Sequence, residues 1–257
     1  VFAGGGVVEE FDEIEVPRYG AVNARAATRM VRDFIWGEMD AAGGEGFRSD
    51  QVTALFGGFS AGGYGTMYNY HWFLDDLLWP RTVGFPDAGL AVDNGETLGV
   101  GNLGFVKIPA WGLRPYLPPY CFEGPCSGGE TLLNALSPRL LQVPEQQILM
   151  VSNQRDETQS GDAFFSDVGT FINALRQMYC DTRDLPGVQW YLTSVSDENV
   201  HVVTIRDFLW TGDVDGVEMQ DWFERAVTDP TTLEDRVEEA DFTTEVEGVA
   251  EFPCDLE

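Results

Sequence analysis

The sequence predicts an α/β fold built on a mostly parallel sheet with helices on both faces. Three observations carry this expectation. Short apolar runs alternate with segments of helical periodicity along most of the chain. One apolar run, Val52 to Phe56, passes through a glycine-rich turn directly into a helix-like stretch. Polar residues follow the ends of the later apolar runs, where parallel sheets present their functional groups. With 257 residues, 44% of them hydrophobic, and with 17 Phe and 7 Trp, the chain is long and apolar enough to bury a full core.

Taken in order, Val1-Phe2-Ala3-Gly4-Gly5-Gly6 reads as the end of a strand entering a glycine loop. Arg18 to Ala42 carries Val22, Ala26, Met30, Val31, Phe34 and Ile35 at the spacing of an amphipathic helix. The strand at 52–56 and a helix from Ala61 to Trp79 follow, then a short strand around Val83-Gly84-Phe85 that ends at Asp87-Ala88-Gly89. Between Asn94 and Pro144 periodicity gives way to Gly, Pro and aromatic residues, among them Trp111, Tyr116 and Phe122. Long irregular segments in compact domains tend to be lids or binding loops, so this stretch is expected to form a cap beside the site. Its aromatic residues fit either the core of that cap or a platform for substrate. Ile148 to Ser152 is a buried strand, Ala163 to Tyr179 a helix with Phe164, Val168, Phe171, Ile172, Leu175 and Met178 on one face, and Val188 to Val195 another strand. A helix is expected over Val217 to Val227. The last 25 residues contain ten Asp or Glu and read as a loosely packed acidic tail, which Cys254 could pin down. The expected organisation is thus one domain over 1–233, with the cap inserted at about 94–144, and a tail over 234–257.

The net charge is −28, from 43 acidic and 15 basic residues, of which only Lys107 is a lysine. Such a chain repels nucleic acid and anionic membranes, so neither is expected as a partner. Self-repulsion of this size is relieved by salt, which suggests adaptation to high salt; a plain acidic, solvated exterior is the alternative. No apolar run approaches the ~18 residues needed to span a bilayer. Four cysteines allow three pairings. Cys121-Phe-Glu-Gly-Pro-Cys126 has the look of a small disulfide-closed loop, while its spacing does not match C-x2-C and both histidines lie far away in sequence, which disfavours zinc. A disulfide suits a secreted or extracytoplasmic protein. No signal peptide is visible, and because the chain begins at Val1 the expectation is that one has been removed or omitted.

The chemistry centres on Gly58-Phe59-Ser60-Ala61-Gly62, a G-x-S-x-G pattern between strand and helix. A serine there projects its hydroxyl from a sharp turn, but needs a base to take its proton and an acid to orient the base. His71 lies within the outgoing helix, about 16 Å along its axis from the turn at 1.5 Å per residue, and cannot serve. His201 follows the 188–195 strand and is the expected base. Asp156 follows the 148–152 strand and is the expected acid, with Asp87 as the competing carboxylate and Asp162, Asp197 and Glu198 as more remote ones. The order Ser60, Asp156, His201 is that of α/β-hydrolases, so the fold is expected to be α/β-hydrolase-like. The oxyanion donors are expected to be the backbone N–H of Ala61 and a second group from the Gly4–Gly6 run, centred on Gly5. Asp213-Val-Asp215-Gly216 resembles half a calcium loop, but Thr211 and Trp222 occupy positions where acids are needed, which leaves a plain turn. No metal or cofactor is called for.

Gly58-Phe-Ser-Ala-Gly-Gly63, Asn69-Tyr-His-Trp-Phe73, Pro86-Asp-Ala-Gly89, Asn153-Gln-Arg-Asp-Glu-Thr-Gln159 and His201 together resemble the pectin acetylesterase family, which includes Notum-type carboxylesterases; the helix start at Asn23–Arg29 is similar too. The resemblance covers about residues 20 to 230 and implies a serine esterase with Ser60, Asp156 and His201 in the matching positions. The chain differs from the family pattern at Phe59, where cysteine is usual, at Thr158, where tryptophan is usual, and at Val7, which interrupts a Gly-Gly-Gly-Trp motif. The functional expectation is hydrolysis of small acyl esters, foremost acetyl groups on a carbohydrate. Lipid or polyester hydrolysis, and a degenerate fold that only binds its ligand, are the alternatives.

Overall fold

The computed structural model describes residues 7–11, 14–41, 52–93, 117–118, 121, 129–160, 165, 167–195, 200–205 and 211–256. Its centre is a five-stranded, all-parallel sheet of β3 (Ala54–Phe59), β4 (Thr82–Asp87), β5 (Gln146–Asn153), β6 (Val188–Thr193) and β9 (Arg236–Val237), in that spatial order. Two hairpins lie outside it: β1 (Val7–Phe11) with β2 (Ile14–Arg18), and β7 (Asp213–Val214) with β8 (Val217–Glu218). The second is the turn expected at 213–216, with the Asp213 carboxylate accepting from the Gly216 N–H at 3.1 Å.

Helices cover both faces. β5 is buried throughout, as a central parallel strand must be. Its Ile148 and Met150 face a core shared with α2 (Ala61–Leu77), α3 (Gly129–Gln142) and α4 (Val168–Thr182), whereas Leu149 and Val151 face Met219, Trp222 and Ala226 of α5 (Met219–Thr228). The period of two along the strand sorts these side chains to opposite faces. Among the described residues, no helix is long and apolar enough to cross a membrane.

Three expectations are corrected. Residues 129–142, read as part of an irregular cap, form α3, because Leu132, Leu133, Leu136 and Leu140 line one helical face and all enter the core. Leu117 and Cys121 join the same core, so part of this stretch is built into the domain. In α1 (Gly20–Ala41) the expected apolar face is largely exposed, at Val22, Met30, Val31 and Phe34. The helix instead turns Ala21, Ala24 and Thr28 inward. Small side chains let it approach α2, and Arg25 and Arg29 both reach the Asp76 carboxylate, at 2.7 and 2.8 Å. The Asp76 carboxyl, although burial opposes its charge, is held below the usual range by these two guanidinium groups.

The third correction concerns the acidic tail. It supplies the edge strand β9, buries Phe242 and Val249 against Ile172, and is tied to α4 by a Cys180–Cys254 disulfide. The buried Arg176 of α4 explains why an acidic segment packs here. It donates to the Ala240 carbonyl at 2.6 Å and lies over the rings of Phe242 and Phe252. Cys121 is also disulfide-bonded, while Cys126 lies outside the described residues. The Cys180–Cys254 bond closes 74 residues, for which chain entropy gives about 4 kcal/mol. Replacing both cysteines by serine is expected to lower the melting temperature by roughly 10 °C. Calorimetry checks this, and an unchanged transition would mean that the tail is held without the bond.

β9 also brings in a titrating group. Asp235 accepts from the Trp190 N–H at 2.9 Å, and burial pushes its carboxyl up to about 7. In the unfolded chain the same group releases its proton near 4. Below that value the two states bind the proton equally. Between about 4 and 7 only the folded state retains it, so stability falls as pH rises through this window. The variant Asp235→Asn keeps the oxygen that accepts from Trp190 and removes the titration. Its melting temperature relative to the parent is expected to be higher at pH 8 than at pH 4.5, whereas a difference independent of pH would contradict this origin.

Candidate active site

The carboxyl ends of β3, β4, β5 and β6 line up along one edge of the sheet, and each delivers a polar group there. β3 ends at Phe59, and Ser60 turns the chain into α2 with φ 55° and ψ −121°. A non-glycine residue in this region costs on the order of 1–3 kcal/mol, so the surroundings must impose it. They do so through close backbone packing. A Cβ on Gly58 would lie 2.6 Å from the Gly62 carbonyl oxygen, and one on Gly89 would lie 2.1 Å from the Ser60 carbonyl oxygen. The Ser60 N–H is held by the Asp87 carbonyl of β4 at 2.8 Å.

Asp156 sits in a turn just past β5, with its side chain fully buried. Its Oδ1 accepts from the N–H groups of Thr158 and Gln159 at 3.0 and 2.9 Å. Burial pushes the carboxyl above its ordinary value, and the hydrogen bonds from His201, Gln159 and Thr158 oppose that rise. His201 lies past the end of β6. Its Nδ1 lies 2.8 Å from Asp156 Oδ2 and 3.0 Å from Oδ1, and its Nε2 lies 2.7 Å from Ser60 Oγ. A carboxylate only accepts, so Nδ1 carries the hydrogen. In the neutral imidazole Nε2 then has a lone pair facing the serine hydroxyl. Residues separated by 141 positions therefore form one hydrogen-bonded chain from serine to imidazole to carboxylate. It can take a proton from Ser60 and stabilise the imidazolium that results.

The structure thus brings together the three residues expected to act. The competing acid, Asp87, is near but turned elsewhere: it accepts from the backbone and side chain of the 203–204 segment. His71 stays within α2, away from the Ser60 turn, where its Nε2 pairs with Asp75 at 3.3 Å, while Ser60 Oγ is bonded to His201. Ala61 is the first residue of α2, where helix N–H groups have no partner within the helix. Gly5, Trp111, Tyr116 and Phe122 lie outside the described residues, as do Asp162, Asp197 and Glu198. Among the described residues, no group of three or more His, Cys, Asp or Glu is placed to hold a metal.

Sequence reasoning missed the residues that aim the triad. Asn153, the last residue of β5, donates from Nδ2 to the carbonyls of Val195 and Val200, both at 3.1 Å, and so ties down the residue directly before His201. Gln154 is a second. Its Nε2 donates to the Glu238 carbonyl and its Oε1 accepts from Arg176, both at 2.8 Å, which braces the acid turn against the tail. From the other side, the buried Tyr64 hydroxyl of α2 donates to Gln159 Oε1 at 2.7 Å. The signal that could have found Asn153 and Gln154 is their place directly after an apolar run, where a buried amide must find partners in neighbouring loops.

The site belongs to the class of serine–histidine–aspartate arrangements set at the carboxyl edge of a parallel sheet. Comparison with known proteins adds no family: no family model matches the chain, and no curated protein matches it.

Proposed function

We propose that the protein is a serine carboxylic-ester hydrolase with an α/β-hydrolase-like fold, acting on small acyl esters of a carbohydrate. The observation that carries the reading is the Ser60–His201–Asp156 chain of hydrogen bonds, with 2.7 and 2.8 Å links on either side of the imidazole. Ser60 Oγ attacks the ester carbonyl while His201 Nε2 takes its proton, and Asp156 stabilises the imidazolium. The oxyanion of the tetrahedral intermediate is received by the Ala61 N–H at the start of α2, where the helix dipole also favours negative charge. Collapse expels the alcohol, which takes the proton back from His201. Water then repeats the sequence on the acyl-serine, releasing the acid and restoring the hydroxyl. The likeness of the motifs to pectin acetylesterases supports the acetyl and carbohydrate parts of the reading. The Cys180–Cys254 disulfide supports a secreted or extracytoplasmic setting.

The test is a series of p-nitrophenyl esters of increasing acyl length, with acetylated pectin and acetylated xylan alongside. The reading expects the highest kcat/KM on acetyl esters and release of acetate from at least one polysaccharide. A maximum at long acyl chains would point to lipid or polyester substrates instead, and no turnover of any ester would contradict a hydrolase.

A further inference from the structure

The serine and the histidine of the site are 141 positions apart in the chain, and one residue that is neither of them touches the backbone of both segments. Asp87 ends β4, between β3 and β5, and is fully buried. Its carbonyl oxygen accepts from the Ser60 N–H at 2.8 Å. Its carboxylate faces the segment that follows His201. Oδ1 accepts from the Val203 N–H at 3.2 Å, and Oδ2 accepts from the Thr204 N–H at 2.8 Å and from the Thr204 hydroxyl at 2.5 Å. The next residue, Ala88, donates to the Val151 carbonyl at 3.0 Å, which fixes this corner against β5.

A buried carboxylate is costly unless its lone pairs are used, and here three donors use them. Val203 itself is fully buried, so the anchored segment has a defined seat. Two residues before it stands His201, whose imidazole must meet Ser60 on one side and Asp156 on the other. Asn153 ties the loop just before His201, at Val195 and Val200, and Asp87 ties it just after. The histidine is therefore held at both flanks, and the clamp on its far side is a carboxylate.

The geometry points to Asp87 as the positioning residue of this site: its backbone carbonyl holds the nucleophile while its carboxylate holds the base segment, so that one residue sets the separation of Ser60 and His201. This rests on the esterase reading above, but it concerns how the imidazole is held, which can be observed without turnover. Burial pushes the Asp87 carboxyl up, and the Thr204 and Val203 donors oppose this, as expected for a carboxylate engaged with that segment.

The test compares Asp87→Asn, Thr204→Val and Thr204→Ser, singly, and the Asp87→Asn/Thr204→Val pair. Asparagine keeps the size of Asp87 but turns an NH2 group toward donors that need an acceptor. On p-nitrophenyl acetate, kcat is expected to fall roughly 10- to 100-fold in Asp87→Asn with KM changed by less than about twofold, because misplacement of the base slows chemistry without removing binding contacts. Thr204→Val is expected to lose about threefold or more, Thr204→Ser to match the parent, and the pair to be no slower than Asp87→Asn alone, because the hydroxyl contact that Thr204→Val removes is already broken in Asp87→Asn. Proton NMR reads the same point without substrate. The low-field Nδ1–H resonance of His201 is expected to be sharp in the parent and in Thr204→Ser, and to be broadened or lost in Asp87→Asn. Turnover within about twofold of the parent in Asp87→Asn, effects of Asp87→Asn and Thr204→Val that multiply, or an unaltered resonance would each overturn the assignment. If Asp87→Asn does not fold, Thr204→Val against Thr204→Ser decides by the same readouts. If the parent hydrolyses no ester, the esterase reading fails, and the resonance alone decides the role of Asp87.

Discussion

Ser60→Ala is expected to reduce kcat on p-nitrophenyl acetate by at least about four orders of magnitude, with little change in melting temperature. The size follows from the mechanism. Without the hydroxyl there is no acyl-serine path, and what remains is the rate that oxyanion binding gives to attack by water. The small stability effect follows from the structure. Ser60 is only partly buried, and its side chain bonds to His201, which is itself partly open to solvent. The positive φ at Ser60 suits alanine no worse than serine. Circular dichroism and a thermal scan on the same preparation separate loss of the nucleophile from loss of the fold. Retained turnover in a folded Ser60→Ala protein would remove the nucleophile, and with it the proposed mechanism.

Gly89→Ala is expected to have the opposite character, harming the fold first. The added Cβ would meet the Ser60 carbonyl oxygen at 2.1 Å, the Tyr64 nitrogen at 2.7 Å and the Gly63 Cα at 2.9 Å. All three are backbone atoms, so no side-chain rotation relieves the contact. Either the turn after β4 or the start of α2 must move. Overpacking of this kind costs about 3 kcal/mol or more. A shift of about 1 Å at Ser60 would also cost on the order of 100-fold in rate. Gly37→Ala in α1 is the matching control, since nothing lies within 4 Å of its added Cβ. That variant is expected to gain up to about 1 kcal/mol from helix propensity. Chemical denaturation of both variants checks the pair, and a Gly89→Ala protein as stable as the parent would mean that the elbow tolerates displacement.

The sheet and the triad were legible in the sequence for the same reason. Buried parallel strands are short, almost wholly apolar runs, and the residues just past them fall at one edge of the sheet. Ile148 to Ser152 and Val188 to Val195 stand out this way, and Asp156 and His201 then follow by position. What was not legible depends on partners far away in the chain. The leucines of α3 lie in a stretch whose Gly129, Ser137 and Pro138 obscure the period, and only packing against α2 and β5 reveals the face. In α1 the apolar residues have the spacing of a buried stripe, yet the inward face is set by Asp76 on α2, which draws Arg25 and Arg29 toward it. The tail looks solvated by charge count. Its burial follows from Arg176 and from the disulfide, and neither can be paired with it from sequence alone. The positioning bonds of Asn153 and Asp87 run mostly to backbone groups, which leave no mark in the sequence of the loop they hold.

The proposed function depends on Ser60 being a nucleophile activated by His201. Labelling with a fluorophosphonate, followed by peptide mass spectrometry, tests it without knowledge of the substrate, because the reagent reports only a hydroxyl whose proton is being taken. A single phosphonyl adduct is expected on the oxygen of Ser60, with fluoride released, and no adduct over the same time in His201→Ala. An unlabelled Ser60 in folded protein, or equal labelling with and without His201, would contradict it.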